Sequence, residues 1–333
     1  MKMPFWGLLD RVSQLFPPQP DFTEDQVPDL HGKVYIVTGA NTGVGKLLTE
    51  ILYSRNAKVY VAARSEEKAN NAIASIKETA PDSNGELVFL RLDLADLATI
   101  KASADSFLRQ ESKLHVLFNN AGVLFPPAGS KTAQGYEVQL GVNNVGTFMF
   151  TKLLTPVLVE TAKTEEPGTV RVVWVSSSAA ESPSVPRGGI DLGNIDQRGS
   201  RFNLDSYALS KAGNYLHAVE FAERHRADGI ASIPLNPGNL QSDLWRTQFA
   251  ITKLFFLSTF FLHPPKLGAY TELFAGLSPK VTMEKTGHWV GPWGRFMPIR
   301  NDLQLSTKSK EEGGYGTAKA FWEWNEEQVK PYL

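Results

Sequence analysis

Cysteine is absent from the 333-residue chain. That removes disulfides, thiolate catalysis, iron–sulfur clusters and zinc fingers together. Histidine is scarce: the six lie far apart, with no H-x-x-x-H or H-E-x-x-H spacing, so no metal site is expected. A surplus of charge is missing as well. The 34 Lys+Arg residues face 35 Asp+Glu, a formal net charge of −1, whereas nucleic-acid binding wants a basic surplus or stripe. Long apolar runs are also lacking. The apolar patch from Met3 to Leu9 is cut short by Asp10 and Arg11, and no secretory signal with its cleavage site can be read there. The most apolar later stretch, Phe249–Leu262, is interrupted by Lys253. It falls short of the about 20 residues that a membrane span needs. The expected location is cytoplasmic, with peripheral membrane contact as the minority alternative.

What is present is a core-forming composition, 42% hydrophobic and 21% charged, in a pattern of alternating elements. Residues 1–31 look like an arm, with Pro17, Pro18, Pro20 and Pro28 opposing regular structure. Apolar, β-branched runs predict strands at Val34–Thr38, Val59–Ala63, Leu87–Leu92, Val116–Phe118, Arg171–Val175 and Ile230–Leu235. Helices are predicted between them at Gly45–Arg55, Lys68–Thr79, Ala95–Gln110, Val138–Thr161 and Tyr207–Arg226. Strands apolar throughout, alternating with helices, describe a parallel sheet covered on both faces. Right-handed crossovers then give an α/β, doubly wound sheet of the Rossmann type. One large domain is expected: an arm (1–31), a dinucleotide-binding catalytic domain (32–280) with a substrate lid near 243–265, and a C-terminal extension (281–333).

The loop after the first strand reads T-G-A-N-T-G-V-G, with Gly39, Gly43 and Gly45. A strand, a glycine-rich turn and a helix start bring backbone N–H groups and the helix dipole up to a pyrophosphate. The rival, an ATPase phosphate loop, needs G-x-x-x-x-G-K followed by Ser or Thr. Here Ala40 stands at the first glycine and Leu47 at the magnesium-binding hydroxyl, so that alternative fails. The second strand ends Ala63-Arg64-Ser65 where a ribose-binding acid would select NAD. A guanidinium at that place suits a 2′-phosphate, so NADP(H) is the expected cofactor; a merely solvated arginine is the alternative.

Tyr207 and Lys211 are 211 − 207 = 4 apart and share one helical face. A tyrosine that works near neutrality must shift by roughly 3 units, about 4 kcal/mol. One ammonium about 4–6 Å away supplies about 3–4 kcal/mol at an effective dielectric near 20. The fifth strand ends in Ser176-Ser177-Ser178 and the fourth in Asn119-Asn120-Ala121-Gly122. Ligands of open parallel sheets sit at such carboxyl ends. Each feature alone has a bland alternative as a turn or surface residue; their combination points to a site.

With these residues the chain resembles the short-chain dehydrogenase/reductase family, over roughly Lys33 to Ser278. T-G-A-N-T-G-V-G, the Asp93 of L-D-L, N-N-A-G, V-S-S, Y-x-x-x-K and Asn236-Pro237-Gly238 occur in family order. The resemblance implies a catalytic tetrad of Asn143, Ser177, Tyr207 and Lys211. In it Tyr207 is the general acid of carbonyl reduction, Ser177 polarises the carbonyl, Lys211 binds the ribose and lowers the tyrosine pKa, and Asn143 holds a relay water. It also implies cofactor contacts from Gly39, Asn41, Thr42, Gly43, Val44 and Gly45 in the loop. Arg64, Asp93 and Leu94 follow at the adenosine end, then Asn119 or Asn120 with Ala121 and Gly122. Tyr207, Lys211, Pro237, Gly238, Leu240 and Ser242 complete the set toward the nicotinamide.

The separation 207 − 177 = 30 is longer than the family's usual spacing. With G-V-N-N-V-G, S-K-A-G-N and the Pro264–Pro279 segment it resembles the retinol-dehydrogenase-like branch, and the tail resembles fungal members. Trp174 and Asn144 depart from that branch and imply altered packing rather than lost chemistry. The expected function is an NADP(H)-dependent oxidoreductase acting on CH–OH/C=O groups of an apolar small molecule (retinoid-, terpenoid- or polyketide-like), with the five phenylalanines of Phe249–Leu262 in its lid. A catalytically idle NADP-binding scaffold is the alternative, and dehydration or epimerisation on the same frame a third. Family members pair through the helices here around Val138–Thr161 and Tyr207–Arg226. The extension could interfere, so monomer and homodimer both stay open.

Overall fold

The computed structural model describes residues 13–195, 203–241 and 262–333. In chain order the described elements are β1 (Val34–Thr38), α1 (Gly43–Ser54), β2 (Lys58–Ala63), α2 (Glu66–Thr79), β3 (Glu86–Arg91), α3 (Leu97–Leu108) and β4 (Val116–Asn119). A short α4 (Val138–Leu140) then runs through a π-helical turn (Gly141–Gly146) into α5 (Thr147–Ala162). Next come β5 (Arg171–Val175), α6 (Asn203–Arg224), β6 (Ala231–Leu235), α7 (Pro265–Leu277), β7 (Val290–Gly291), β8 (Arg295–Phe296), α8 (Asn301–Gln304) and α9 (Thr317–Val329).

The strands form one sheet in the order β3-β2-β1-β4-β5-β6-β7-β8, parallel up to β7 and antiparallel from β7 to β8. Val37 of β1 lies between Val61 of β2 and Phe118 of β4. After β3 the chain crosses back to β4, so the winding reverses beside β1, and a crevice opens at the carboxyl ends of β1 and β4.

Both faces are covered, which is why the strand centres are apolar on consecutive residues rather than on alternate ones. One core gathers Leu48 and Leu52 of α1, Ala69 and Ile76 of α2, and Leu273 and Phe274 of α7. The proline-rich arm docks on this face through the buried side chains of Phe22, Val27 and Leu30. The opposite core takes Ile100 and Phe107 of α3, Phe148 and Leu154 of α5, and Phe221 of α6. Here Trp174 is fully buried and its indole donates to Ser232 Oγ at 3.0 Å, a packing feature turned away from the cleft.

The sequence predicts Val138–Thr161 as one uninterrupted helix. The π-helical turn at Gly141–Gly146 departs from that, with Thr147 Oγ1 donating to the Val142 carbonyl five residues back at 3.0 Å. Glycine is required at its far end, because a Cβ on Gly146 would sit 2.3 Å from the Leu94 carbonyl oxygen. The segment expected as an extension also supplies β7 and β8 to the sheet. Its last helix, α9, packs on the α5 and α6 face: Trp322 meets Phe148 edge-on at 4.7 Å, Phe321 stacks on His217 at 4.7 Å, and the Arg224 guanidinium lies 5.0 Å from the Trp322 ring.

Candidate active site

At the carboxyl ends of the strands lies a cleft of about 1160 Å³. Its first wall is the loop between β1 and α1. Gly39 and Gly43 take positive φ of 68° and 56°, conformations open to glycine at little cost. Gly45 is held by crowding instead: a Cβ there would lie 2.5 Å from Asn120 Nδ2 and 2.8 Å from the Gly39 carbonyl oxygen. Thr42 at the N-cap turns no side-chain cap onto the first-turn amides of α1, which leaves the helix N-terminus facing the cleft as an anion seat.

Asn120 ties the next strand end to this loop. Its Nδ2 donates to the Thr38 carbonyl at 2.7 Å, and the Ala121 amide donates to Thr38 Oγ1 at 2.9 Å. Of the two asparagines left open by the sequence, Asn120 lines the cleft, whereas Asn119 is buried behind it and donates to Thr151 Oγ1 at 2.9 Å. Asp93 and Leu94 line the far end, where Asp93 Oδ1 accepts from the Ala95 amide at 2.9 Å. Arg64, Ser65 and Lys68 line the same cleft beyond β2. Ser65 caps α2 by accepting from the Lys68 amide at 3.3 Å, which sets Lys68 one turn into the helix.

The candidate catalytic side chains gather at the β5 end. Ser176 Oγ donates to the Lys211 carbonyl at 2.6 Å and clamps α6 to the strand, leaving Ser177 to line the cleft with Tyr207 and Lys211. Burial pushes the Tyr207 phenol up to about 12, opposed by a side-chain hydrogen bond with Ser177. Lys211 is 4% exposed; its Nζ donates to the Val175 carbonyl at 2.8 Å and stands 5.6 Å from the Tyr207 ring centre. Burial pulls its pKa down, and Glu272 opposes that shift.

Asn143 lies one layer behind. Its Oδ1 accepts from the Val123 amide at 2.8 Å, and its Nδ2 donates to the Val123 carbonyl at 3.1 Å and to Ser210 Oγ at 2.9 Å. It thereby braces the N-N-A-G loop against α6. A Cβ on Gly122 would meet both Asn143 Oδ1 and Lys211 Nζ at 3.3 Å, so glycine lets the two approach the cleft together. Asn144 fixes the same helices, donating to the Ser210 carbonyl at 2.9 Å and to Asn214 Oδ1 at 2.8 Å.

Gly39, Asn41, Thr42, Gly43, Val44, Gly45, Arg64, Asp93, Leu94, Asn120, Ala121, Gly122, Pro237, Gly238 and Leu240 thus line one cleft with Ser177, Tyr207 and Lys211. Ser242 and most of the expected lid, residues 242–261, lie outside the described residues. Sequence reasoning missed Lys68 and Glu272. A glutamate inside the buried apolar stripe of G-A-Y-T-E-L-F-A-G was the available signal for the second. Among the described residues there is no metal-binding cluster, and no helix is long and apolar enough to cross a membrane.

Residues 33–187 match the short chain dehydrogenase family. A short-chain dehydrogenase/reductase of Phomopsis amygdali is 55% identical over 334 residues, covering 99% of both chains. One from Neocamarosporium betae is 50% identical over 324 residues, 96% of this chain and 93% of its own. Among solved structures, the NADPH-bound carbonyl reductase from chicken fatty liver shares the fold, with a TM-score of 0.60 and 21% identity over 81% of this chain and 100% of its own. The chain belongs to the short-chain dehydrogenase/reductase family of oxidoreductases.

Proposed function

We propose that the chain is an NADP(H)-dependent oxidoreductase that moves a hydride between the nicotinamide and a carbonyl or secondary alcohol of an apolar small molecule, in the manner of secondary metabolism. The observation that carries this is the joining of Ser177, Tyr207 and Lys211 to a glycine-walled anion seat in a single cleft.

The residues fit a dinucleotide phosphate. The α1 N-terminus would hold the pyrophosphate, and Asp93 with Leu94 would border the adenine. Arg64, Ser65 and Lys68 offer two cations and a hydroxyl for a 2′-phosphate, with Arg64 suited to a bidentate grip. When bound, the dinucleotide supplies or takes up the hydride. The chain's own groups handle the proton and the oxygen. In reduction the Tyr207 hydroxyl gives its proton to the substrate oxygen as the C–O oxygen gains charge; in oxidation the tyrosinate takes it back. Ser177 donates to the same oxygen. The Lys211 ammonium stabilises the tyrosinate. Asn143 holds the Val123 loop and Ser210 in place, and its Oδ1 keeps a second lone pair for a relay water.

Support for an apolar substrate comes from the cleft wall after β4, where Val123, Leu124, Phe125, Pro126 and Pro127 follow one another, and from Leu204, 58% exposed and three residues before Tyr207. The covering of α5 and α6 by α9 favours a monomer. The test is oxidation of NADPH against NADH with a panel of apolar ketones and aldehydes. Turnover preferring NADPH is expected; equal use of NADH would remove the 2′-phosphate assignment, and no binding of either would remove the oxidoreductase assignment.

A further inference from the structure

Helix α7 approaches the cleft from the sheet face opposite α6, and three of its residues share one stripe at intervals of four: Gly268, Glu272 and Gly276. Both glycines sit at crowded contacts. A Cβ on Gly268 would lie 2.2 Å from Leu240 Cδ1, and one on Gly276 would lie 2.3 Å from Phe118 Cζ. The helix is therefore seated tightly at each end of the stripe, and the one side chain between is aimed at the cleft. Glu272 is 0% exposed, it lines the cleft, and both of its carboxyl oxygens lack a hydrogen-bond partner. A buried carboxyl left unpartnered is costly to a fold, and the apolar stripe of α7 gives packing no need for one.

Lys211, the cation of the proposed catalytic set, lines the same cleft. Burial pushes the Glu272 carboxyl up to about 8, and Lys211 opposes that rise; among the described residues only Lys211 alters the Glu272 ionisation by charge, and only Glu272 does so for Lys211. The other ionisable groups near this pair are engaged or turned elsewhere. On α1, the Lys46 ammonium donates to Ser75 Oγ at 2.9 Å; Glu50 and Tyr53 lie further along that helix. On β5, Arg171 is spent on the carbonyls of Ala275, Ser278 and Val281. On α7 itself, Lys266 pairs with Glu24 at 2.6 Å, and Tyr270 stays near that pair. Toward α6, Glu181 accepts from Gln14 and from the Arg300 amide, while Lys319 and Glu323 belong to α9 on the far side. Asp93 is the other acid of the cleft lining, at the adenosine end.

We propose that Glu272 is a positioning residue of this active site: the buried counter-charge that keeps the Lys211 ammonium protonated, and through it sets the pH range in which Tyr207 works. The inference rests on the oxidoreductase reading for its purpose, but not for its test. A lysine in a dry cleft sheds its proton easily, and a neutral lysine cannot stabilise a tyrosinate. An oxidised nicotinamide adds a positive charge and worsens this. Ionised toward the alkaline end of the range, a carboxyl group in the same cleft lining compensates there, and its unpartnered oxygens leave that charge undiluted by other donors.

The test is Glu272→Gln in the full chain, with Glu272→Met as a second uncharged variant of similar length should the first fold poorly. Lysine side-chain NMR follows the Lys211 titration without cofactor or substrate, assigned by its loss in Lys211→Met. The expected result is a fall of about one to two pH units in the Lys211 midpoint in the variant; an unmoved midpoint overturns the proposal. With NADPH and a reducible ketone, the alkaline limb of kcat/KM should move to lower pH by a similar amount. A loss of rate that is uniform across pH would mark a merely structural role and also overturn it. A wild-type chain that reduces no substrate would count against the oxidoreductase reading, while the lysine titration still decides the fate of Glu272.

Discussion

Replacing Lys211 by methionine removes one charge and little volume. The Val175 carbonyl it leaves is still satisfied, because Asn214 Nδ2 donates to the same oxygen at 2.9 Å. The fold should therefore survive. What is lost is an ammonium 5.6 Å from the Tyr207 ring centre, worth about 3 kcal/mol at an effective dielectric near 20, or roughly 2 pH units of tyrosine ionisation. The sign follows from the proposed role of the tyrosinate as the base of alcohol oxidation. Burial already holds the phenol up at about 12, and losing the cation leaves the Ser177 hydrogen bond to oppose that rise. At a given pH below the midpoint the ionised fraction then falls tenfold per unit, so oxidation slows by about 100-fold near neutrality. The assay is kcat for alcohol oxidation against pH at saturating oxidised cofactor. The acid limb should move up by about 2 units, and Lys211→Arg should restore part of the shift. A rate that drops equally at every pH, with the limb unmoved, would refute the electrostatic role and leave Lys211 as a ribose clamp alone.

Two further outcomes follow from the same geometry. Arg64→Ala should weaken NADPH binding by about 10-fold or more while leaving NADH nearly unchanged, since a charge-assisted pair to a phosphate contributes about 1.5–3 kcal/mol; cofactor fluorescence titrations would read this, and equal losses for both would disprove a 2′-phosphate contact. Trp322→Ala should destabilise the chain by about 3–5 kcal/mol in urea unfolding, because the ring is 5% exposed and packs between Phe148 and Arg224. A change under about 1 kcal/mol would mean that α9 is peripheral to the fold.

The fold was legible where one physical rule acts alone. Six strands stand out because a doubly covered parallel strand must be apolar on both sides, and Arg171–Val175 has the same bounds in the structure as in the sequence reading. Helix starts were less legible. Helix α2 begins at Glu66 rather than Lys68 because Ser65 caps it, and acidic residues suit a first turn. The strands β7 and β8 escaped notice because each spans two residues, too few for any periodicity, and their turn rests on Trp293 with a φ of 65°. The π-helical turn is hidden because Val142, Val145 and Phe148 keep a helical apolar rhythm through it; only the crowding of Gly146 on Leu94 exposes the need.

The cleft was legible to the extent that its residues sit in local motifs. The loop, Ser177, Tyr207 and Lys211 each follow a strand or start a helix, so topology alone brings them together. Glu272 is different: it reaches the cleft from the opposite sheet face, on a helix whose approach depends on Gly268 and Gly276. No linear spacing connects it to Lys211. Asn119 and Asn120 were likewise inseparable in sequence, since adjacent residues at a strand end point to opposite sides and the sheet decides which side is the cleft.

Tyr207→Phe tests the proposed chemistry most directly, because it removes one oxygen from the cleft and leaves the cofactor seat intact. NADPH binding by fluorescence should stay within about threefold of the wild type, while ketone reduction falls by about 10²–10⁴-fold, the usual worth of a general acid. Reduction that continues at near wild-type rate in the variant would contradict the assignment of Tyr207 as the acid.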